Sequence, residues 1–280
     1  MYKLTEINIY PIKSLAGISL QSSEVKERGL KYDRRWMLVY ENGMFFTQRN
    51  HPQMALLQPR LVNGTIQISH KQPKMNDLTI PSLPDGDSKI EVTVWDDKVS
   101  AQTYSREIDE WFSGALEVRC RLVYMPDSTE RNVNPKYAKE KMEHPALRRI
   151  VSFADAYPFM IIGEESLADL NNRMDEPLPM NRFRTNFVFS GGKPFDEDNW
   201  EKIKIGNLEF WVVKPCARCT ITTINQSTGE KEKEPLSTLA TFRKVNGKVL
   251  FGQNMVCEST GIVRLGDTIR IDEWNADSTD

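Results

Sequence analysis

Mostly antiparallel β-structure with a few helices, an α+β class in which strand dominates, is the fold the sequence predicts. Two observations predict it. Apolar and polar residues alternate over many short runs, and Asn-Gly or Gly-Asn pairs punctuate those runs. Alternation puts one face of a strand toward a core, and these dipeptides supply the positive-φ residues of tight hairpins.

Taken in chain order, the first strand is "KLTEINIY", closed by Pro11. "RRWMLVY" reads as a strand that ends at the Asn42-Gly43 turn. Asn63-Gly64 precedes "TIQIS", and "KIEVTVW" alternates strictly. "REIDEWFSGAL" breaks the β pattern: Ile108, Trp111, Phe112, Ala115 and Leu116 recur at helical spacing and make one face. "YPFMIIG" is a short continuous apolar run, read as a buried strand. "EESLADLNNRM" is a second helix, with Leu167, Leu170 and Met174 on one face. "KIKIGNLEFWVV" reads as a hairpin around Gly206-Asn207. "PLSTLATFRK" gives a third helix with Leu236, Leu239 and Phe242, and Asn246-Gly247 precedes the strand "VLFGQN". Two stretches, 70–89 and 125–149, are polar and Pro-punctuated and read as loose. A domain boundary is expected around residues 100–120.

The bulk composition excludes more than it selects. The 280 residues are 39% hydrophobic and 27% charged with a formal net charge of -2. That balance gives no basic field for nucleic acid, so no nucleic-acid partner is expected. No apolar run approaches the ~20 residues of a membrane-spanning helix. The N-terminus has no continuous apolar segment of the kind that directs secretion. Four cysteines are too sparse for a disulfide scaffold, so a reduced, cytoplasmic protein with no membrane association is expected.

Chemistry concentrates in "KPCARC". A zinc site needs further partners, and Cys120, Cys257 and the histidines (His51, His70, His144) are scattered. A thiol-exchange pair benefits from opening a helix, whereas "TITTIN" is β-branched and strand-like. Two small buried hydrophobes at a strand end remain the simpler reading. Against it stand Lys214 and Arg218, cations that favour the thiolate form that binds soft metals. Further cations sit at strand entries: Lys13 with Ser14, Arg34 with Arg35, and Arg182 with Arg184, the last pair alternating with Phe183 into a strand. Any one is a surface charge by default, but guanidinium groups at strand starts can also point into a phosphate pocket. Asp155, in "VSFADAYPFMIIG", is either a turn residue or a proton donor or acceptor beside a cavity.

Together, "YPIKSLAG", "DRRWMLV", "TQRNHPQMALLQP", "FADAYPFMIIGEESLADLN", "RFRTNFVFSG", "PCARCTITTINQSTGE" with "EPLSTLATFR", and "LFGQN" resemble the MOSC-domain family in content and order over residues 1–272. The closest likeness is to its amidoxime-reducing group and to bacterial members that reduce N-hydroxylated compounds. The resemblance implies an N-terminal β-rich MOSC-associated domain over 1–115, a β-barrel-like MOSC domain over 116–275 and a short tail, 276–280. It implies a molybdenum cofactor (Mo-molybdopterin) held between the domains. Carried over by motif, Cys219 is the thiolate ligand of molybdenum, and Arg218 contacts the pterin or its phosphate. Lys13, Ser14, Arg34, Arg184 and Asn186 bind the cofactor, joined by Asn254 of "FGQN". Asp155 lies near the metal on the substrate side with Ala156 and Tyr157 beside it, and Asp155 or a water supplies a proton; Cys216 has no necessary role.

Three positions depart from the mitochondrial branch: Ala217 stands for a small hydroxyl residue, Asn254 for an aromatic and Tyr157 for a smaller residue. The substrate pocket is therefore expected to differ while the cofactor site is kept. The implied activity is two-electron reduction of a small N-hydroxylated or N-oxidised substrate. No Cys-rich ferredoxin segment follows "GDTIRIDEWNADSTD", so electrons are expected from a separate protein: a ferredoxin, a flavodoxin or a cytochrome-type reductase system. A cofactor or sulfur carrier without turnover needs the same ligands and stays open as the alternative.

Overall fold

A computed structural model describes residues 1–72, 75–133 and 149–275. The tail 276–280 and most of the second loose stretch lie outside the described residues.

In the first part of the chain the strands are β1 (Tyr2–Ile9), β2 (Ile18–Leu20), β3 (Ser22–Lys26), β4 (Gly29–Leu30) and β5 (Trp36–Val39). They continue with β6 (Leu57–Val62), β7 (Thr65–His70), β8 (Leu78–Ile80), β9 (Lys89–Val94), β10 (Asp97–Thr103) and, after helix α1 (Arg106–Leu116), β11 (Arg121–Tyr124). Then come β12 (Phe159–Gly163), α2 (Glu164–Asn171), β13 (Phe187–Ser190), β14 (Trp200–Ile205) and β15 (Leu208–Ala217). The last elements are α3 (Leu236–Phe242), β16 (Lys244–Val245), β17 (Lys248–Cys257), β18 (Gly261–Arg264) and β19 (Thr268–Trp274).

Seven of these strands form a closed barrel in the order β12-β13-β1-β19-β14-β15-β17, with β17 pairing back onto β12. All neighbours are antiparallel except β12 and β13. Alternation explains the filling: Phe159 and Ile161, Phe187 and Phe189, and Phe210 and Val212 point inward, and the Phe159 and Phe210 rings meet edge-on at 5.4 Å. The continuous apolar run of β12 is buried on both faces. Its other side, Met160 and Ile162, packs with Leu170 of α2 and Leu239 of α3. Strand β1 is thus a barrel stave paired with β13 and β19, from the far end of the chain.

A second core lies in the N-terminal half. There β5-β11-β10-β9 and β6-β7-β8 form two smaller sheets. Ile108, Phe112 and Leu116 of α1 pack against Trp36, Leu38, Ile66 and Ile68. The expected helix over 106–116 forms as read, and Asn63-Gly64, Gly206-Asn207 and Asn246-Gly247 each join two paired strands.

Three local expectations change. The strand expected to start in "RFRTN" begins at Phe187: Met180–Phe183 is a 3-10 turn, and Arg184 adopts left-handed backbone at φ 55°. "TITT" is likewise a 3-10 turn after Cys219 rather than a strand. Part of the first loose stretch is strand β8.

Candidate functional site

Register brings the site together. Ile7 of β1 and Ile161 of β12 both pair with Phe187 of β13, so the end of β1 and the starts of β12 and β13 lie side by side. At the seam that closes the barrel, Asn254 of β17 faces Met160 on one side and Lys214 of β15 on the other. The segments leaving these strands surround a cleft of about 790 Å³ including its open mouth. Lys13, Ser14, Arg34, Asp155, Ala156, Tyr157, Arg184, Asn186, Arg218, Cys219 and Asn254 all line it, although they come from six separate segments.

Tyr10 organises the cationic wall. Its buried ring carries the guanidinium groups of both Arg34 and Arg184, each 4.3 Å from the ring centroid. Arg34 donates to Asp33 Oδ2 at 2.6 Å and to the Arg184 carbonyl at 3.0 Å, and Arg184 donates to the Leu15 carbonyl at 2.6 Å. Asp33 also accepts from the Tyr10 amide at 2.7 Å. Burial raises the Asp33 carboxyl pKa, with Arg34 opposing it. Burial also lowers Arg184, to about 10, and raises the Tyr10 phenol to about 12. Ser14, Arg34 and Arg184 all have left-handed backbone, at φ 67°, 48° and 55°. Three non-glycine residues in that region around one cleft mark strain concentrated at a site.

Arg218 reaches across the seam. It donates to Met160 Sδ and Cys216 Sγ, both at 3.0 Å, and to the Phe183 carbonyl at 2.5 Å. Its Nε is buried and has no acceptor among the described residues, a donor left for a ligand.

On the opposite wall, Lys13 Nζ bonds Asp155 Oδ1 at 2.5 Å and the Phe153 carbonyl at 2.7 Å. The Trp95 indole N–H also donates to Asp155, at 3.2 Å. Burial lowers Lys13 to about 8, against the pull of Asp155. The Asp155 side chain is about half exposed, and the Lys13 ammonium with its hydrogen bond holds the carboxyl well below the usual range. Asp155 is therefore an ionised acceptor, and the proton of this pair sits on Lys13 Nζ. Of the two roles open to Asp155, proton donor or acceptor, this charge state favours acceptor.

Some expected residues serve the frame. Asn186 is buried and donates to the Asn8 carbonyl, and Asn254 donates to the Lys214 carbonyl. Ala156 and Tyr157 pack in a small cluster with Val213. Arg182 does not join the cleft: it is buried and bonds the Thr222 and Glu234 carbonyls and Glu232.

Sequence reasoning missed several supports. Tyr10 and Asp33 stood inside the family motifs without a role. Arg131, in the stretch read as loose, clamps the Ser152, Ala154 and Asp155 carbonyls. Arg49 and Trp95 reach the Cys219 and Asp155 side of the cleft from the N-terminal half. Only the position of Arg49 in "TQRNHP" could have signalled it.

All four cysteines are unpaired. Burial pushes the Cys120 and Cys257 thiols up to about 12, whereas Cys219 is exposed in the cleft. Among the described residues no three His, Cys, Asp or Glu side chains gather as a metal site, so a zinc reading of C-x-x-C has no support. A soft metal here would take one protein thiolate and bring its remaining ligands with it. Four cations face one carboxylate along the lining, a field suited to an anion.

Comparison with known proteins decides the family. Residues 1–119 match the MOSC N-terminal beta barrel domain and residues 148–270 match the MOSC domain. The chain is 30% identical over 282 residues to mitochondrial amidoxime-reducing component 1 of Xenopus laevis, covering 95% of this chain and 81% of that protein. The chain belongs to the MOSC-domain family. A second MOSC relative, mitochondrial amidoxime-reducing component 1 of Mus musculus, is 31% identical with the same coverage. The molybdenum cofactor sulfurase of Oryza sativa subsp. japonica is 33% identical over 264 residues, covering 89% of this chain but 32% of the sulfurase. Five staves of the closed barrel lie within the residues matched to the MOSC domain, β19 runs past their end and β1 belongs to the N-terminal match; no described helix is long and apolar enough to cross a membrane.

Proposed function

We propose that this protein is a molybdenum-cofactor-dependent oxidoreductase that reduces small N-hydroxylated or N-oxidised compounds by two electrons, taking them from a separate donor protein. One observation carries the reading: an exposed thiolate-forming residue, Cys219, opens into a cleft lined by four cations from separate segments. The residues fit the group. The cofactor is an anionic, phosphorylated dithiolene, and the unpartnered Arg218 Nε and the Tyr10-backed guanidinium pair are donors suited to it. Similarity to amidoxime-reducing components supports the substrate class.

Bound there, the cofactor would supply a redox metal for two-electron chemistry. Cys219 would be its protein sulfur ligand, because soft thiolate suits a metal already held by sulfurs. Lys13, Ser14, Arg34, Arg184 and Arg218 would hold the pterin and phosphate, with Asn186 and Asn254 fixing their backbones. Asp155, Ala156 and Tyr157 would form the substrate side. As a carboxylate, Asp155 would accept a hydrogen bond from the substrate, and Lys13 Nζ, which is bonded to Asp155 and has its pKa lowered to about 8, would be the group that releases a proton.

Metal and pterin analysis of protein made in a cofactor-competent host tests this. Stoichiometric molybdenum, lost in Cys219→Ala, is expected; its absence from the wild type, or full retention in that variant, overturns the reading. The similarity to molybdenum cofactor sulfurase favours a second reading, a cofactor or sulfur carrier. That reading predicts bound cofactor with no reduction of amidoximes under any reductant.

A further inference from the structure

Arg49 has no assigned role, yet it is the N-terminal residue in contact with the Cys219 sulfur. Its Nη1 lies 3.4 Å from Cys219 Sγ, within hydrogen-bonding range for sulfur. Two features hold it there. Its guanidinium sits 4.6 Å from the centroid of the Trp95 indole, whose own N–H is anchored on Asp155. Next to it in the chain, buried Gln48 donates to the Ser14 carbonyl at 2.7 Å, and its amide exchanges hydrogen bonds with the amide of Gln226, beyond the Cys219 turn. The side chains of Gln48 and Arg49 thus fasten this segment to both walls of the cleft.

We propose that Arg49 is a positioning residue for the Cys219 sulfur and that Trp95 keeps it in place. A guanidinium N–H directed at a thiolate fixes the orientation of the sulfur and withdraws electron density from it. A metal ligated by that sulfur is then easier to reduce. Trp95 is well placed to do this. It occupies the two-residue turn between β9 and β10, with left-handed backbone at φ 56°, and about half of its surface is exposed at the cleft mouth. The tuning part of this inference rests on the proposed molybdenum site; the contact itself does not.

The test separates the two. Cofactor-free protein is alkylated at a single pH with iodoacetate and, separately, with iodoacetamide, and modification of Cys219 is followed by site-resolved mass spectrometry. The ratio of the two rates cancels the thiolate fraction and reports the charge that an anionic reagent meets at the sulfur. Arg49→Gln is expected to lower that ratio by roughly three- to tenfold, and Arg49→Lys to restore part of it. Trp95→Phe keeps the stacking face and should resemble the wild type, whereas Trp95→Ala should fall between the wild type and Arg49→Gln. An unchanged ratio in Arg49→Gln overturns the proposal. Should that variant fail to fold, an unchanged ratio in Trp95→Ala overturns the holding role, and an unchanged ratio in the uncharged Arg49→Met overturns the contact. In metal-loaded protein, Arg49→Gln should also shift the sulfur-to-metal charge-transfer band at unaltered metal content. A wild type without molybdenum would overturn the proposed function while leaving the alkylation result to decide on Arg49.

Discussion

Lys13 and Asp155, 142 residues apart in the chain, meet Nζ to Oδ1 at 2.5 Å and tie the segment after β1 to the segment before β12. Because burial lowers Lys13 to about 8 from 10.5, the unfolded chain holds this proton between those values while the folded chain releases it. The lysine's contribution to stability therefore rises with pH across that window and is fully present only above about 10.5. Anion binding moves the opposite way. Sulfate, which does not titrate here, should bind cofactor-free protein more weakly at pH 9 than at pH 7. Lys13→Arg, which stays charged, should remove that difference in calorimetric titration.

The stack of Arg34 and Arg184 on Tyr10 makes a graded prediction. Tyr10→Phe removes only a long hydrogen bond to the Thr185 carbonyl, at 3.3 Å, and should cost about 1 kcal/mol or less. Tyr10→Ala should cost about 3–5 kcal/mol and, on the proposed function, lower the pterin content as the platform is lost. Gly17→Ala should act on the same ring, since a Cβ there would lie 2.6 Å from Tyr10 Cε1. Denaturant titration together with pterin content would separate loss of stability from loss of cofactor.

Barrel closure has its own weak point at Gly252. Its φ is +77°, and an added Cβ would lie 2.5 Å from Ile162 Cγ1 and 3.0 Å from the Ile161 carbonyl. Gly252→Ala should therefore destabilise the protein by about 2–4 kcal/mol as the β12–β17 seam loosens. Unfolding titrations that superimpose on the wild type would refute this.

Glu197 is a buried acid behind β12. Gly163 N–H donates to Oε1 at 3.2 Å and Ser166 Oγ to Oε2 at 2.9 Å. Burial raises its pKa to about 7 from 4.5, with the hydrogen bonds opposing. The folded state therefore holds a proton that the unfolded state has lost between those values. Its contribution is full below about 4.5 and is lost as pH rises through 7. Glu197→Gln should flatten the fall in stability over that range by up to about 3 kcal/mol, read as unfolding free energy against pH.

Much of this was legible where one local rule acts alone. Helix α1 follows from the spacing of Ile108, Phe112 and Leu116, and three hairpins follow from their Asn and Gly residues. The turn at Trp95 and Asp96 carries no such residue, although Trp95 adopts φ 56°; its side chain contacts Arg49 and Asp155, which no local rule anticipates. Arg182 and Arg184 look equivalent in sequence, yet one lies in the frame and the other in the cleft; the left-handed turn at Arg184 separates them. Grouping the cations into one cleft came from resemblance to a family, since spacing carries no information on which distant strands become neighbours. Arg131 lay in a polar stretch, and its partners are carbonyls 21 to 24 residues later in the chain, a distance over which spacing carries no signal.

The pairing of β1 with β19 also sets a timetable. The first stave of the barrel waits for Ile269 and Thr268, which join Tyr2 and Lys3, so a growing chain cannot seal the barrel until those two residues have left the ribosome. Segments 10–15 and 216–219 become neighbours only then. A ligand that needs the sealed barrel would thus have to wait for the synthesis of β19.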